Sequence, residues 1–131
     1  MTKKMPIRVL LLDFGNVIYL ADQMIAYRRF AEYSPFTPEG IHKLIYLDGI
    51  EKIPDEGGSF TDFYEQSMIA IHADRNVLTP ELFHDIWCDI FSPVPGMEEL
   101  LAKVKPEVRM ILVSNTNKVH WDGKMSELPL I

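Results

Sequence analysis

The sequence predicts an α/β fold in which two parallel strands are separated by a long helical segment. Two short apolar runs, residues 9–12 and 110–113, each lead directly into a polar turn. Short runs of this kind are typical of strands that are buried on both faces of a parallel sheet. Helical patterns with clear start signals occupy most of the chain between the two runs. A parallel connection normally needs one crossover helix, so the additional helices indicate an inserted subdomain.

The first apolar run ends at Asp13. A carboxylate inside a buried strand would be costly, so Asp13 is predicted at the carboxyl end of the strand. Gly15 and Asn16 tolerate unusual backbone angles and turn the chain there. Because open α/β sheets bind ligands at the carboxyl ends of their strands, Asp13 is the first candidate for chemistry. A strand-end Asp that only caps the following turn is the bland alternative.

Four helices are predicted between the two strands. The first covers residues 22–33 and ends at a Ser-Pro pair. Two others begin with a Thr-Pro-Glu signal at Thr37 and Thr79, and Ser59 with Asp62 starts a further one. Two of the helices carry apolar stripes that can each bury a helix face, namely Phe60, Phe63, Tyr64, Met68 and Ile71, and Leu82, Phe83, Ile86, Trp87 and Ile90.

A short helix over residues 97–104 leads to the second strand, predicted over residues 108–113. Ser114 follows that strand as Asp13 follows the first. If the two strands are neighbours in one parallel sheet, both side chains face the same crevice. The predicted organisation is an α/β core formed by residues 1–19 and 92–131, with a helical cap formed by residues 20–91.

Composition limits the class of protein. The 131 residues suffice for one domain with a real core, and the hydrophobic fraction of 47% is that of a globular chain. A formal net charge of −6 argues against nucleic acid and anionic membrane surfaces as partners. A single cysteine, Cys88, excludes an internal disulfide framework. The sequence shows no signal peptide and no stretch long enough to span a bilayer, which predicts a cytoplasmic location.

The two strand ends resemble the first two motifs of the haloacid dehalogenase (HAD) superfamily. The first motif of that family is an apolar strand followed by Asp-x-Asp-Gly-Thr/Val, and the second is an apolar strand ending in Ser or Thr. Here they read Leu-Leu-Leu-Asp13-Phe14-Gly15-Asn16-Val17 and Ile-Leu-Val-Ser114-Asn115-Thr116. The residues of these two motifs are most similar to those of the branch that includes glucose-1-phosphate phosphatase. The resemblance implies a Rossmann-like parallel sheet, here incomplete, with an inserted helical cap.

The resemblance also implies roles for these residues. Asp13 would be the nucleophile that accepts the phosphoryl group as an aspartyl-phosphate. Asp13 and the backbone carbonyl of Gly15 would bind Mg²⁺, which prefers oxygen ligands. The phosphate of a small phosphorylated metabolite, such as a sugar phosphate, would be held by the Ser114 hydroxyl and by the backbone amides of Phe14, Gly15 and Asn115.

Two departures from the family pattern matter. Gly15 stands where the family's phosphatases usually carry a second Asp as general acid and base. The chain also ends at Ile131, before the family's Lys and acidic pair, and neither Lys118 nor Lys124 matches that Lys. The isolated chain is therefore expected to be weak or inactive as an enzyme, and the chain is expected to be truncated after the second motif.

Three alternatives to a complete phosphatase stay open on the sequence. The chain could be a non-catalytic fragment, or half of a split enzyme that binds a separate C-terminal half. It could also be a haloacid dehalogenase, which would use Asp13 without a metal. An unpaired apolar strand edge would further favour self-association.

The histidines and the cysteine are predicted to have structural or surface roles. His84 and Cys88 lie four residues apart on one helix, and a structural pair is favoured over a catalytic or metal-binding one. His42, His72 and His120 are isolated in the sequence and are predicted to be surface or cap residues.

Overall fold

The computed structural model describes residues 4–131 and contains two small sheets. In the first, strand β1 (Val9–Asp13) pairs in parallel with β4 (Arg109–Val113), and Asp13 lies opposite Val113. In the second, β2 (Tyr19–Ala21) pairs antiparallel with β3 (Phe91–Pro93). The α/β fold and the parallel pairing of the two apolar runs are therefore confirmed.

Seven α-helices lie in the part of the chain that the structure describes. They are α1 (Gln23–Phe30), α2 (Pro38–His42), α3 (Lys52–Asp55), α4 (Phe60–Ile71), α5 (Pro80–Cys88), α6 (Met97–Ala102) and α7 (Lys118–Gly123). A π-helical turn (Lys43–Leu47) follows α2, and 3₁₀ turns cover Ala31–Tyr33 and Met125–Glu127. Within residues 4–131, none of these helices has the length and apolar character needed to cross a membrane.

The predicted start signals of the helices are confirmed. Thr37 accepts a hydrogen bond from the Gly40 amide, and Thr79 accepts one from the Leu82 amide. The Ser59 hydroxyl accepts from the Asp62 amide. Each bond satisfies a backbone donor in the first turn that has no partner within its own helix.

The helices between β2 and β3 pack around a shared apolar core. Eight of the ten residues in the two predicted stripes are buried, while Phe60 and Leu82 are partly buried. The rings of Phe30 and Phe83 stack 4.6 Å apart, and Phe63 and Trp87 lie 4.9 Å apart. Burial of these large side chains therefore stabilises the packing of the helices against one another.

The boundaries of the helical segment differ from the prediction. Leu20 and Ala21 lie in β2, and Phe91 lies in β3, so these three residues are not helical. The two strands are where the chain leaves the core and returns to it, and antiparallel pairing satisfies the backbone groups of both crossings. The Asp22 amide extends this pairing to the carbonyl of Ile90 at 3.1 Å. The helical segment is accordingly residues 22–90.

The strands of the parallel sheet are less buried than their apolar sequences predict. On one face, Val9 and Leu11 are 48% and 64% exposed, and Ile111 and Val113 are 39% and 54% exposed. The faces of parallel sheets in α/β proteins are buried by helices, so this exposure shows that no element in residues 4–131 covers this face. We call these four side chains the uncovered sheet face.

Candidate active site

A cavity of about 740 Å³ lies where the carboxyl ends of β1 and β4 meet the helical segment. Its volume is in the range of roughly 300–1,000 Å³ that is typical of small-molecule sites. All five site residues predicted from the sequence line it: Asp13, Phe14, Gly15, Ser114 and Asn115. The helical segment adds Gln23, Tyr46, Glu51, Asp55 and Ile90, and the chain after β4 adds Thr116, Asn117, His120 and Met125.

Asp13 is the last residue of β1, and its carboxylate lies at the wall of the cavity. Its Oδ1 accepts a 2.8 Å hydrogen bond from the Phe14 amide. The Phe14 ring is buried and contacts Tyr19 at 5.5 Å and Phe91 at 5.4 Å between ring centroids. The aromatic contacts fix the backbone of Phe14, so its amide holds the carboxylate of Asp13 in one orientation.

The turn after Phe14 leaves Gly15 open to the cavity. Asn16 adopts a left-handed conformation with φ of 59°, and its side chain accepts a bond from the Ala21 amide at 3.2 Å. A Cβ atom added to Gly15 would meet nothing within 4 Å. Among residues 4–131, no backbone amide donates to the Gly15 carbonyl. That oxygen is therefore available to a ligand.

The loop after β4 places Ser114 and Asn115 beside the end of β1, because Val113 is opposite Asp13 in the sheet. Within the described part of the chain, neither the Ser114 hydroxyl nor the Asn115 amide has a hydrogen-bond partner. Two unoccupied donors thus lie near a carboxylate at the same edge of the sheet. Such donors can stabilise the oxygens of a bound anion.

Glu51 is a cavity residue that the sequence interpretation missed. It precedes α3 in the helical segment and is only 6% exposed, and its Oε2 accepts a 3.2 Å bond from the Tyr27 hydroxyl. Burial, with a smaller contribution from Asp55, raises the pKa of the Glu51 carboxyl from 4.5 to about 7, although the Tyr27 bond opposes the shift. No sequence pattern marks Glu51, because only tertiary packing brings it to the cavity.

His120 was predicted as a surface or cap residue, and this prediction is wrong. It lies on α7, is 7% exposed, and stacks on the Trp87 ring at 5.2 Å between centroids. Its Nε2 lies 3.3 Å from the Trp87 carbonyl, which can only accept, so Nε2 carries the proton. Burial lowers the pKa of His120, and the bond to Trp87 opposes that shift. A lone His in a polar turn gives no sequence signal of this packing.

The pair formed by His84 and Cys88 is structural. The Cys88 Sγ lies 3.8 Å from His84 Nε2 and donates to the Val119 carbonyl at 3.5 Å. Burial, with a smaller contribution from Asp85, raises the pKa of the Cys88 thiol to about 12, so the unreactive thiol form persists at neutral pH. Among residues 4–131, no group of three or more His, Cys, Asp or Glu side chains could hold a metal ion.

The oxygen atoms at the end of β1 could supply part of the ligand set of a hard cation. The Asp13 carboxylate and the free Gly15 carbonyl are oxygen ligands of the type that Mg²⁺ prefers. Mg²⁺ takes six oxygens, so water, a bound phosphate or further residues would complete its coordination.

Comparison with solved structures agrees with this architecture. The chain is similar to the HAD family enzyme BT-2542 from Bacteroides thetaiotaomicron, solved in complex with magnesium and inorganic phosphate. The TM-score is 0.65 and the identity 21%, over 89% of this chain and 57% of that chain. A magnesium complex of the same enzyme gives a TM-score of 0.64 at 21% identity, over 88% of this chain and 56% of that one.

These similarities identify the fold of the chain as that of the HAD-like α/β proteins. The chain spans 57% of the length of the solved enzyme, so it corresponds to part of that structure. The sequence matches no known family profile and no curated protein.

Proposed function

We propose that this chain carries the nucleophile-bearing part of a Mg²⁺-dependent phosphatase that acts on a small phosphorylated metabolite. The observation that carries the proposal is the placement of Asp13 and Ser114 at neighbouring strand ends in one cavity. The structural similarity to a HAD family enzyme solved with magnesium and phosphate supports it.

In this function, Asp13 attacks the phosphorus of a phosphate monoester and becomes an aspartyl-phosphate. The Phe14 amide orients the carboxylate, because it already donates to Oδ1. The Ser114 hydroxyl, with the amides of Gly15 and Asn115, stabilises the phosphate oxygens. Mg²⁺ held by Asp13 and the Gly15 carbonyl would neutralise charge, so that an anionic nucleophile can approach an anionic phosphate.

The helical segment serves as a cap in this proposal. It supplies Gln23, Tyr46, Glu51 and Asp55 to the cavity, and these side chains would contact the part of the substrate beyond the phosphate. Polar groups that converge on a pocket fix the orientation of a ligand and provide specificity. A small polar metabolite such as a sugar phosphate suits this lining.

The isolated chain is proposed to be a weak catalyst. Within residues 4–131, no Lys or Arg lines the cavity, so the described residues offer no fixed positive charge beside the phosphate. Loss of one well-placed electrostatic donor typically lowers the rate about a hundred- to a thousandfold. Lys118 is instead on the surface, where it forms an ion pair with Asp122.

The test is hydrolysis of p-nitrophenyl phosphate in single-turnover conditions, with the chain in excess and with Mg²⁺ or EDTA. Slow release of phosphate is expected that requires Mg²⁺ and is abolished by Asp13→Asn. Asp85→Asn is the matched control, because Asp85 is exposed on α5 and outside the cavity. Release that is equal for Asp13→Asn and the unmodified chain would contradict the proposal. Mg²⁺-independent cleavage of a haloacid would favour the dehalogenase alternative.

The exposure of the sheet favours a second candidate function, in which this chain acts as one part of an enzyme and further structure completes it. The uncovered sheet face exposes four apolar side chains of the central sheet, although parallel sheets in α/β proteins are covered on both faces. We propose that further structure, either continuous with this chain or in a separate C-terminal half, packs there and supplies the missing cation. Addition of that half should then raise phosphatase activity in a way that depends on Asp13.

A further inference from the structure

Hydrolysis of an alkyl phosphate needs a proton for the leaving oxygen, and Gly15 has none to give. Other cavity groups must therefore be compared. His120 directs its Nε2 proton to the Trp87 carbonyl, and Asp55 accepts a 2.8 Å bond from Asn117. Tyr46 is 53% exposed. Glu51 remains as a buried carboxyl in the cavity that is held by a single donor.

We propose that Glu51 is the general acid and base of this site, replacing the second Asp that Gly15 displaces. This role rests on the proposed phosphatase function and extends it. The catalytic proton would then come from a residue of the helical segment, so this segment would take part in the reaction as well as cover the substrate. Glu51→Gln should then slow release of the leaving group only where that group needs a proton, whereas the later hydrolysis of the aspartyl-phosphate should slow for every ester.

The position of the Glu51 carboxyl is fixed by its surroundings. Its Oε2 accepts from the Tyr27 hydroxyl, and Tyr27 is fully buried between the rings of Trp87 and His42, at 6.1 Å and 5.4 Å. Among residues 4–131, no group donates to Oε1, which is therefore the oxygen free to act. The titratable groups that act on the carboxyl are Tyr27 and Asp55. Tyr46, Asp13 and His120 line the same cavity, and His42 contacts the Tyr27 ring.

The protonation state of Glu51 suits the role. Burial and the nearby Asp55 raise its pKa to about 7, so both forms are present at neutral pH. An acid–base group works best when its pKa lies close to the operating pH. Tyr27 cannot compete for the role, because burial and Glu51 raise its own pKa well above its ordinary value.

The proton balance closes over two steps. First, a carboxylate oxygen of Asp13 bonds to phosphorus while the bond from phosphorus to the ester oxygen breaks, and that oxygen takes the proton of Glu51. The alcohol leaves. A water molecule then attacks the phosphorus of the aspartyl-phosphate and returns a proton to Glu51, which releases inorganic phosphate and restores the Asp13 carboxylate.

Leaving-group dependence tests the role. Release of the leaving group in a single turnover is compared between the Glu51→Gln chain and the unmodified chain. The esters are p-nitrophenyl phosphate, whose leaving group needs no proton, and glycerol phosphate, whose leaving group does. General acid catalysis contributes about a hundred- to ten-thousandfold, so a loss of that size is expected in the release of glycerol and not in the release of p-nitrophenolate. Glu56→Gln is the matched control, because Glu56 is exposed and outside the cavity. Equal losses on both esters, or no loss, overturn the role.

A rescue variant strengthens the experiment. Gly15 has open space where a side chain would project, so Gly15→Asp fits without a clash. Added to Glu51→Gln, it should recover hydrolysis of glycerol phosphate. Recovery shows that the single variant is folded and lacks only a proton donor. Failure of this rescue in a folded double variant counts against Glu51 as the donor.

A measurement on the unmodified chain avoids any effect of substitution on folding. Carbon-13 NMR titration of the Glu51 carboxyl is expected to give a pKa near 7, and a value near 4.5 overturns the role whatever the activity. If neither ester is cleaved in an Asp13-dependent way, the proposed function fails and the role fails with it. Asp13-dependent cleavage without a selective effect of Glu51→Gln overturns the role alone.

Discussion

Asn117 joins the two halves of the molecule, because its side-chain amide donates a 2.8 Å hydrogen bond to Asp55 of α3. Its Oδ1 also accepts from the His120 amide at 3.0 Å and so caps α7. Asn117 lies in the loop after β4, which also carries Ser114, whereas Asp55 belongs to the helical segment. One side chain therefore ties the loop at the proposed phosphate site to the wall of the cavity.

The two hydrogen bonds of the Asn117 side chain predict how Asn117 variants affect stability. Asn117→Ala should lower the free energy of unfolding by about 2 kcal/mol, from the lost helix cap and the lost bond to a charged group. Asn117→Asp keeps the cap acceptor but loses the donor and adds a carboxylate beside Asp55, so it should also destabilise the chain. Urea unfolding measures both, and Asn76→Ala on the exposed surface is the control. Equal stability of Asn117→Ala and the control would contradict the link.

Glu51 predicts how stability depends on pH. Because its folded pKa of about 7 exceeds its ordinary value of 4.5, the unfolded chain loses the proton first as pH rises. The free energy of unfolding should therefore fall as the pH rises from 4.5 to about 7, by on the order of 3 kcal/mol for this group, and level off at higher pH.

The comparison of Glu51→Gln with the unmodified chain isolates this effect. The variant should become relatively more stable as pH rises from about 5 to about 8 in urea unfolding experiments. His120 acts in the opposite direction, since a lowered pKa in the folded state costs stability as pH falls, but it is common to both chains and cancels. A stability difference that does not change with pH would show that Glu51 titrates normally.

Cys88 should be unreactive in the folded chain. The thiolate is the reactive form, and burial raises the pKa of this thiol to about 12, so alkylation by iodoacetamide should be slow until urea unfolds the chain. Gly123→Ala should accelerate alkylation, because its Cβ would lie 2.5 Å from Cys88 Sγ and 2.8 Å from His84 Cε1. Overpacking of this kind typically costs about 1–3 kcal/mol. The control is Gly15→Ala, which has open space.

Local patterns predicted the scaffold, and tertiary packing decided the rest. Apolar runs, Thr-Pro-Glu starts and helical stripes depend on near neighbours along the chain, so the strands and helices could be inferred. The pairing of the strand ends also followed, because parallel strands present their carboxyl ends at one edge. Glu51 and His120 could not be inferred, since each depends on contacts with residues far away in sequence, at Tyr27 and Trp87.

The burial of β1 was overestimated for a related reason. An apolar run indicates what a strand can bury and does not show what covers it. No element in residues 4–131 covers this face of the parallel sheet, so Val9 and Leu11 remain exposed although their sequence is that of a central strand. The last strand pairing, between β2 and β3, was missed because both strands have only three residues.

The uncovered sheet face predicts that the 131-residue chain self-associates. Its apolar side chains are exposed beside open strand edges, and edges of this kind pair with other chains. We expect the mass measured by light scattering to increase with protein concentration. Leu11→Lys should shift the chain towards monomer, because it places charge at the centre of the face.

A matched variant distinguishes association through the uncovered sheet face from non-specific association. Ile69 is 61% exposed on α4 of the helical segment, close to the 64% of Leu11. Ile69→Lys adds the same charge at similar exposure but away from the sheet, so it should leave the association unchanged. If both variants dissolve the association equally, net charge is its cause, and a monomer at every concentration would show that the face does not pair. Association that only Leu11→Lys removes would identify the uncovered sheet face as the surface through which copies of the chain associate.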